Sequence, residues 1–85
     1  MKVVYADEFS KQFKKLPLEA QRIFYKQEKL FKVNWRDSRL HIKKLREHEL
    51  SFSFRITRRY RVLFIFISED LALFATIGHR KDIYK

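Results

Sequence analysis

Apolar positions change period part-way along this chain, from a helical spacing to a strand spacing. Met1 to Ala6 alternates, with Val3 and Tyr5 on one side and Val4 on the other, and reads as a first strand. Asp7 is suited to N-capping a helix. Phe9, Phe13 and Leu16 then follow at i, i+4 and i+7, a one-sided helical stripe. Pro17, the only proline, ends that helix and can open the next. A second helix is predicted from about Leu18 to Val33. Ala20, Ile23, Phe24, Gln27, Leu30 and Phe31 make its buried stripe, and Arg22, Lys26, Lys29 and Lys32 make its wet face. The two helices form a hairpin with both apolar stripes facing the same way. Asn34 to Glu49 is less regular, with Leu40, Ile42 and Leu45 as anchors. Trp35 reads as a packing anchor, with base stacking the alternative.

From Ser51 the period is two. Phe52, Phe54 and Ile56 share one face of a strand, and Ser51, Ser53, Arg55 and Thr57 share the other. Tyr60 to Ile67 is apolar on both faces beyond Arg61, which marks it as central. Leu71 to Ile77 is a further apolar strand. The reading is a three-stranded antiparallel meander. Gly78, the only glycine, falls where the chain would leave this last strand, and suggests either a turn that a Cβ would hinder or the close approach of a ligand.

The register of the first hairpin stays open. A three-residue turn Thr57-Arg58-Arg59 pairs Ile56 with Tyr60 and Arg55 with Arg61, and puts both arginines on the Ser51/Ser53 face. A two-residue turn Arg58-Arg59 pairs Thr57 with Tyr60 and separates them. No Asn-Gly turn decides the matter.

Composition turns this pattern into a narrower question. Eighty-five residues make one domain, 1–85, with no cysteine for disulfides or thiolate metal sites. No stretch reaches the roughly 20 apolar residues of a membrane span. Lys2 to Ala6 is too short an apolar region for a signal peptide, so the expected location is the cytoplasm. The net charge is +10. From Arg36 to Arg61 nine Lys or Arg stand against three acids. Such a surface is either a solvated face or a site for a polyanion, and interleaved Tyr, Trp and His favour the polyanion.

The candidate chemistry follows from that charge. If Arg55, Arg61, Arg80 and the Lys43-Lys44-Leu45-Arg46 run converge, they make a cationic bowl on the sheet, with His79 and Tyr84 at its lip. Arg58 and Arg59 add charge at the first turn. Arginine clamps a phosphate through two parallel hydrogen bonds and stabilises charge growing on phosphorus. RNA brings its own nucleophile in the 2′-hydroxyl, so the protein need only align it and move protons. His79 has the suitable pKa, and Tyr84 serves if nearby cations lower its own. Each also has a structural reading: a hydrogen-bonded His, a packed Tyr, an ion-paired Arg61. His41 and His48 read as surface residues. With three histidines and no Cys-x-x-Cys or carboxylate cluster, no metal or other cofactor is expected.

The chain resembles the RelE/ParE superfamily, toxins of type II toxin–antitoxin systems. The resemblance covers almost its whole length. It rests on Phe13-Lys14-Lys15-Leu16-Pro17, Lys43-Lys44-Leu45, Ser53-Phe54-Arg55-Ile56-Thr57, Tyr60-Arg61-Val62-Leu63-Phe64 and Ile77-Gly78-His79-Arg80-Lys81-Asp82-Ile83-Tyr84. It implies an α+β fold, β-α-α-β-β-β, with the N-terminal helical hairpin packed on an antiparallel sheet. It also implies a cognate antitoxin with an acidic segment, and no membrane partner. On the RelE side it implies endoribonuclease cleavage of mRNA in the ribosomal A site, with Arg61, Arg80 and Tyr84 as catalytic positions. Ser51 and Ser53 stand where that pattern carries lysines, which leaves the general base to His79 or His48. On the ParE side the same fold implies inhibition of DNA gyrase. A third reading is a toxin-fold binding module with little activity of its own.

Overall fold

The computed structural model describes residues 1–46 and 50–83. The elements run β1 (Lys2–Tyr5), α1 (Asp7–Lys14), α2 (Leu18–Val33), a 3-10 turn (Ser38–Leu40), β2 (Lys43–Lys44), β3 (Ser51–Arg55), β4 (Tyr60–Ser68), β5 (Leu71–His79) and α3 (Arg80–Ile83). They form an α+β domain in which the helical hairpin covers one face of a five-stranded sheet ordered β1-β5-β4-β3-β2.

The apolar stripes meet as the spacing predicts. Phe9 of α1 and Phe24 and Phe31 of α2 bury against Phe54, Val62, Phe64, Phe74 and Ile77 of the sheet. Phe31, Phe54, Phe64 and Phe74 are fully enclosed, and each such ring contributes about 1.5–3 kcal/mol of burial energy. Their rings meet edge-on or tilted, as in Phe31–Phe64 with centroids 4.9 Å apart. Trp35 packs edge-on against Phe52, Phe64 and Phe66, which settles it as an anchor.

Three glutamines tie the layers together. Gln21 donates to the carbonyls of Phe13 (3.2 Å) and Leu16 (3.1 Å), closing the end of α1. The Gln12 side-chain Oε1 accepts the Ile77 N–H at 3.0 Å. Buried Gln27 donates to the Arg39 carbonyl (3.1 Å) and the Arg55 carbonyl (2.9 Å). It therefore fixes the 3-10 turn and the end of β3 to the same helix.

Several expectations are corrected. The sheet is mixed: β1 joins the edge of β5 in parallel, Lys2 opposite Leu71 and Tyr5 opposite Phe74. Alternation reports which face a residue occupies and says nothing of strand direction. The Lys43-Lys44 pair is itself an edge strand, antiparallel to β3. Ala6 holds the N-cap position of α1, and Asp7 lies in its first turn, where its charge favours the helix dipole. Pro17 precedes α2 at its N-cap. Gly78 makes no turn: β5 continues through it to His79, and its φ is not positive.

Candidate nucleic-acid interface

The β3–β4 connection takes the three-residue turn. The Ile56 N–H donates to the Tyr60 carbonyl at 3.0 Å, and Arg55 stands directly opposite Arg61. Two cations opposite one another on a sheet repel. The structure offsets this at Arg61. Its Nη1 donates to the carbonyls of Thr57 (2.7 Å), Arg58 (3.1 Å) and Tyr60 (3.1 Å), so one edge of the guanidinium is held by the turn. The Thr57 hydroxyl oxygen accepts from the N–H groups of Arg59 and Tyr60, which tightens the same turn.

Arg80 arrives from the other side. Its N–H donates to the Arg59 carbonyl at 2.6 Å, which ties the start of α3 to the turn. Arg80 and Lys81 thereby stand beside Arg61. Below them lie Ser53 and, opposite it on β2, Lys43. An open cleft of about 460 Å³ results, lined by His41, Lys43, Ser53, Arg55, Arg61, Arg80 and Lys81. None of these is acidic. The Arg55 Nε is buried with no hydrogen-bond partner among the described residues.

His41 reaches the cleft through an unusual backbone. It closes the 3-10 turn in the left-handed region, φ 49° and ψ 54°. Among the described residues it is the one non-glycine with positive φ. Histidine tolerates this better than branched residues. The turn before it is braced by Asp37, whose carboxylate accepts from the Arg39 N–H (2.9 Å), Nε (3.0 Å) and Nη2 (2.7 Å). Those bonds hold the Asp37 carboxyl down at about 2.

Of the expected site residues, the cleft brings together Lys43, Arg55, Arg61 and Arg80. Lys44 sits opposite Phe52 on β2. Arg46, Arg58 and Arg59 are exposed and lie outside the cleft lining. His79 stands apart. It pairs with Tyr60, in step with the buried Val62–Ile77 pair, so it lies on the helix side of the sheet while the cleft lies on the other. Its ring meets Tyr60 edge-on at 5.8 Å, and its Nδ1 accepts the Lys81 N–H at 3.1 Å. His48 and Tyr84 lie outside the described residues. His41 and Lys81 enter the lining without having stood among the expected site residues. Lys81 follows Arg80 in the chain, but no apolar pattern marks His41.

No protein-family model matches the sequence, and a search of curated proteins finds no relative. Solved structures do match. The RelE chain of the RelB–RelE antitoxin–toxin complex from Methanococcus jannaschii superposes with a TM-score of 0.79 at 23% identity, over 96% of this chain and 95% of that one. The fold is that of the RelE toxins. The archaeal RelE–RelB complex from Pyrococcus horikoshii OT3 gives a TM-score of 0.75 at 16% identity, over 95% of this chain and 96% of that one. A YoeB/ParE toxin from Agrobacterium tumefaciens gives 0.78 at 13% identity, over 94% and 99%. Each match spans nearly all of this chain, so the RelE-like fold describes the arrangement of its elements.

Proposed function

We propose that this protein is the toxin of a type II toxin–antitoxin pair and acts as a ribosome-dependent endoribonuclease on translated mRNA. The observation that carries the reading is the convergence of Lys43, Arg55, Arg61, Arg80 and Lys81 on one cleft, with no acid among its described lining residues, in a RelE-like fold. A phosphodiester backbone is the ligand such a cleft suits. Arg61, held on one edge by the turn, and Arg80, at the start of α3, clamp the scissile phosphate. The 2′-hydroxyl of the preceding ribose attacks phosphorus, the bond to the 5′-oxygen breaks, and a 2′,3′-cyclic phosphate and a 5′-hydroxyl result. One proton leaves the 2′-oxygen and one reaches the departing 5′-oxygen. The two arginines stabilise the charge that grows on the equatorial oxygens. His41, in the cleft lining, is the histidine placed to carry a proton. Tyr84 is the second candidate, on the resemblance of the C-terminal motif.

The partner is an antitoxin, as RelB accompanies RelE in the Methanococcus and Pyrococcus complexes. An acidic antitoxin segment competes with RNA for the same cations. Controlled expression without antitoxin tests the proposal. Wild type is expected to arrest growth, and Arg55→Ala with Arg80→Ala together to relieve the arrest while the far-UV CD spectrum stays native. Arrest with intact mRNA and defective supercoiling would replace the reading with gyrase inhibition. No arrest at all would leave a binding module.

A further inference from the structure

The chain has one glycine, Gly78, and nothing among the described residues explains it. A glycine within a strand costs stability and packs nothing. Two internal reasons ordinarily justify one. The first is a positive φ, and Gly78 has none. The second is crowding, yet a Cβ built on Gly78 meets no atom of the described residues within 4 Å, its two chain neighbours aside. Backbone and packing therefore both permit a side chain here.

The position of Gly78 supplies an external reason. It stands directly opposite Arg61 on β4, which stands directly opposite Arg55 on β3. Directly opposed residues share a face, so Gly78, Arg61 and Arg55 form one row across three strands, on the face away from the helices. Arg80 and Lys81, two and three residues further along the chain, line the cleft together with Arg61 and Arg55. Gly78, half-buried and adjoining the lining rather than part of it, ends the row of guanidinium groups without a side chain.

We infer that Gly78 is the seat of the cleft's ligand: the sugar-phosphate backbone of a single-stranded RNA lies against its Cα, and a side chain there excludes the ligand without disturbing the fold. The inference rests on the ribonuclease reading and adds a specificity-determining contact to it. A flat seat beside Arg61 admits a ribose at contact distance, and the guanidinium then reaches the phosphate attached to that ribose. A Cβ would lift the sugar away and lengthen both arginine contacts.

The test uses the full chain with Gly78→Ala and Gly78→Val, thermal unfolding, and fluorescence anisotropy with a short labelled single-stranded RNA. Arg55→Ala is the control for the cationic side. Both Gly78 variants should melt at or above the wild-type temperature, since each replaces a strand glycine. RNA affinity should fall about tenfold for Ala and further for Val, in order of size. Wild-type affinity in both variants, with Arg55→Ala weakened, would overturn this inference and leave the ribonuclease reading standing. Lowered melting temperatures would also overturn it, since they would give the glycine a structural reason. Failure of wild type itself to bind the free RNA would overturn this inference and leave the ribosome-dependent reading to be judged by cleavage of translated mRNA.

Discussion

Replacing Arg61 with alanine separates what the residue does for the fold from what it does for a ligand. The change removes a charged donor whose Nη1 serves the Thr57, Arg58 and Tyr60 carbonyls. A hydrogen bond from a charged group is worth about 1.5–3 kcal/mol. One nitrogen shared among three partly exposed carbonyls belongs at the lower end. The same change removes the repulsion between Arg61 and Arg55, directly opposite it, which returns roughly 0.2–1 kcal/mol. The net loss is about 1 kcal/mol. For a domain of this size that lowers Tm by about 4–8 °C. Arg55→Ala relieves the same repulsion and leaves the turn bonds in place, so its Tm should match or slightly exceed wild type. Thermal CD at 222 nm, a wavelength set by the helical signal, measures both. An Arg61→Ala Tm at or above wild type would refute the turn clamp, and so would an equal fall in Arg55→Ala. The consequence for activity work is practical: Arg61→Ala must be assayed well below its own Tm.

Other predictions come from neighbouring contacts. Gln27→Leu keeps the volume but strips the Arg39 and Arg55 carbonyls of their donor; the urea midpoint should fall by the equivalent of about 1–3 kcal/mol. His41→Asn keeps a residue that tolerates the left-handed region, so Tm should hold. Cleavage should fall about 100-fold or more. Burial, and then the hydrogen bond it donates to Glu28, raises the Tyr5 phenol above its ordinary range. A raised folded pKa gives stability that is full below about pH 10, the unfolded value, and is lost as pH rises above it. Tyr5→Phe should remove that alkaline loss and cost about 1 kcal/mol at neutral pH, because buried Glu28 is left with the Lys32 ammonium at 4.0 Å. The Asp37 carboxyl, held down at about 2, has the opposite sign. Its support for the turn before His41 is present above its ordinary range near 4 and is lost as pH falls to about 2, which amide chemical shifts of Arg39 and His41 should follow.

Much of this architecture is written in the spacing of apolar residues. The stripe from Ala20 to Phe31 and the alternation of Phe52, Phe54 and Ile56 describe two surfaces that have only each other to bury against. The tract from Val62 to Ile67 announces a central strand, and β4 is central. What spacing leaves out is direction and backbone handedness. The parallel docking of β1 depends on the whole sheet. Lys43-Lys44 carries no strand pattern and pairs only because β3 offers it an edge. His41 enters the cleft through a left-handed backbone that no periodicity encodes. His79 is more instructive. The alternation that buries Ile77 turns His79 to the same side two residues later, and the tether from the Arg80 N–H to Arg59 then brings Arg80 to the cleft. Adjacency in the chain places the two residues on opposite sides of the sheet.

The most direct measurement of the central claim is primer extension after a pulse of expression without antitoxin. It should be run on a translated mRNA and on the same mRNA lacking its start codon, with wild type and with the Arg55→Ala, Arg80→Ala double variant. The account predicts cuts by wild type in the translated transcript alone and none by the double variant. Growth arrest with both transcripts intact, or identical cuts from the double variant, would contradict it.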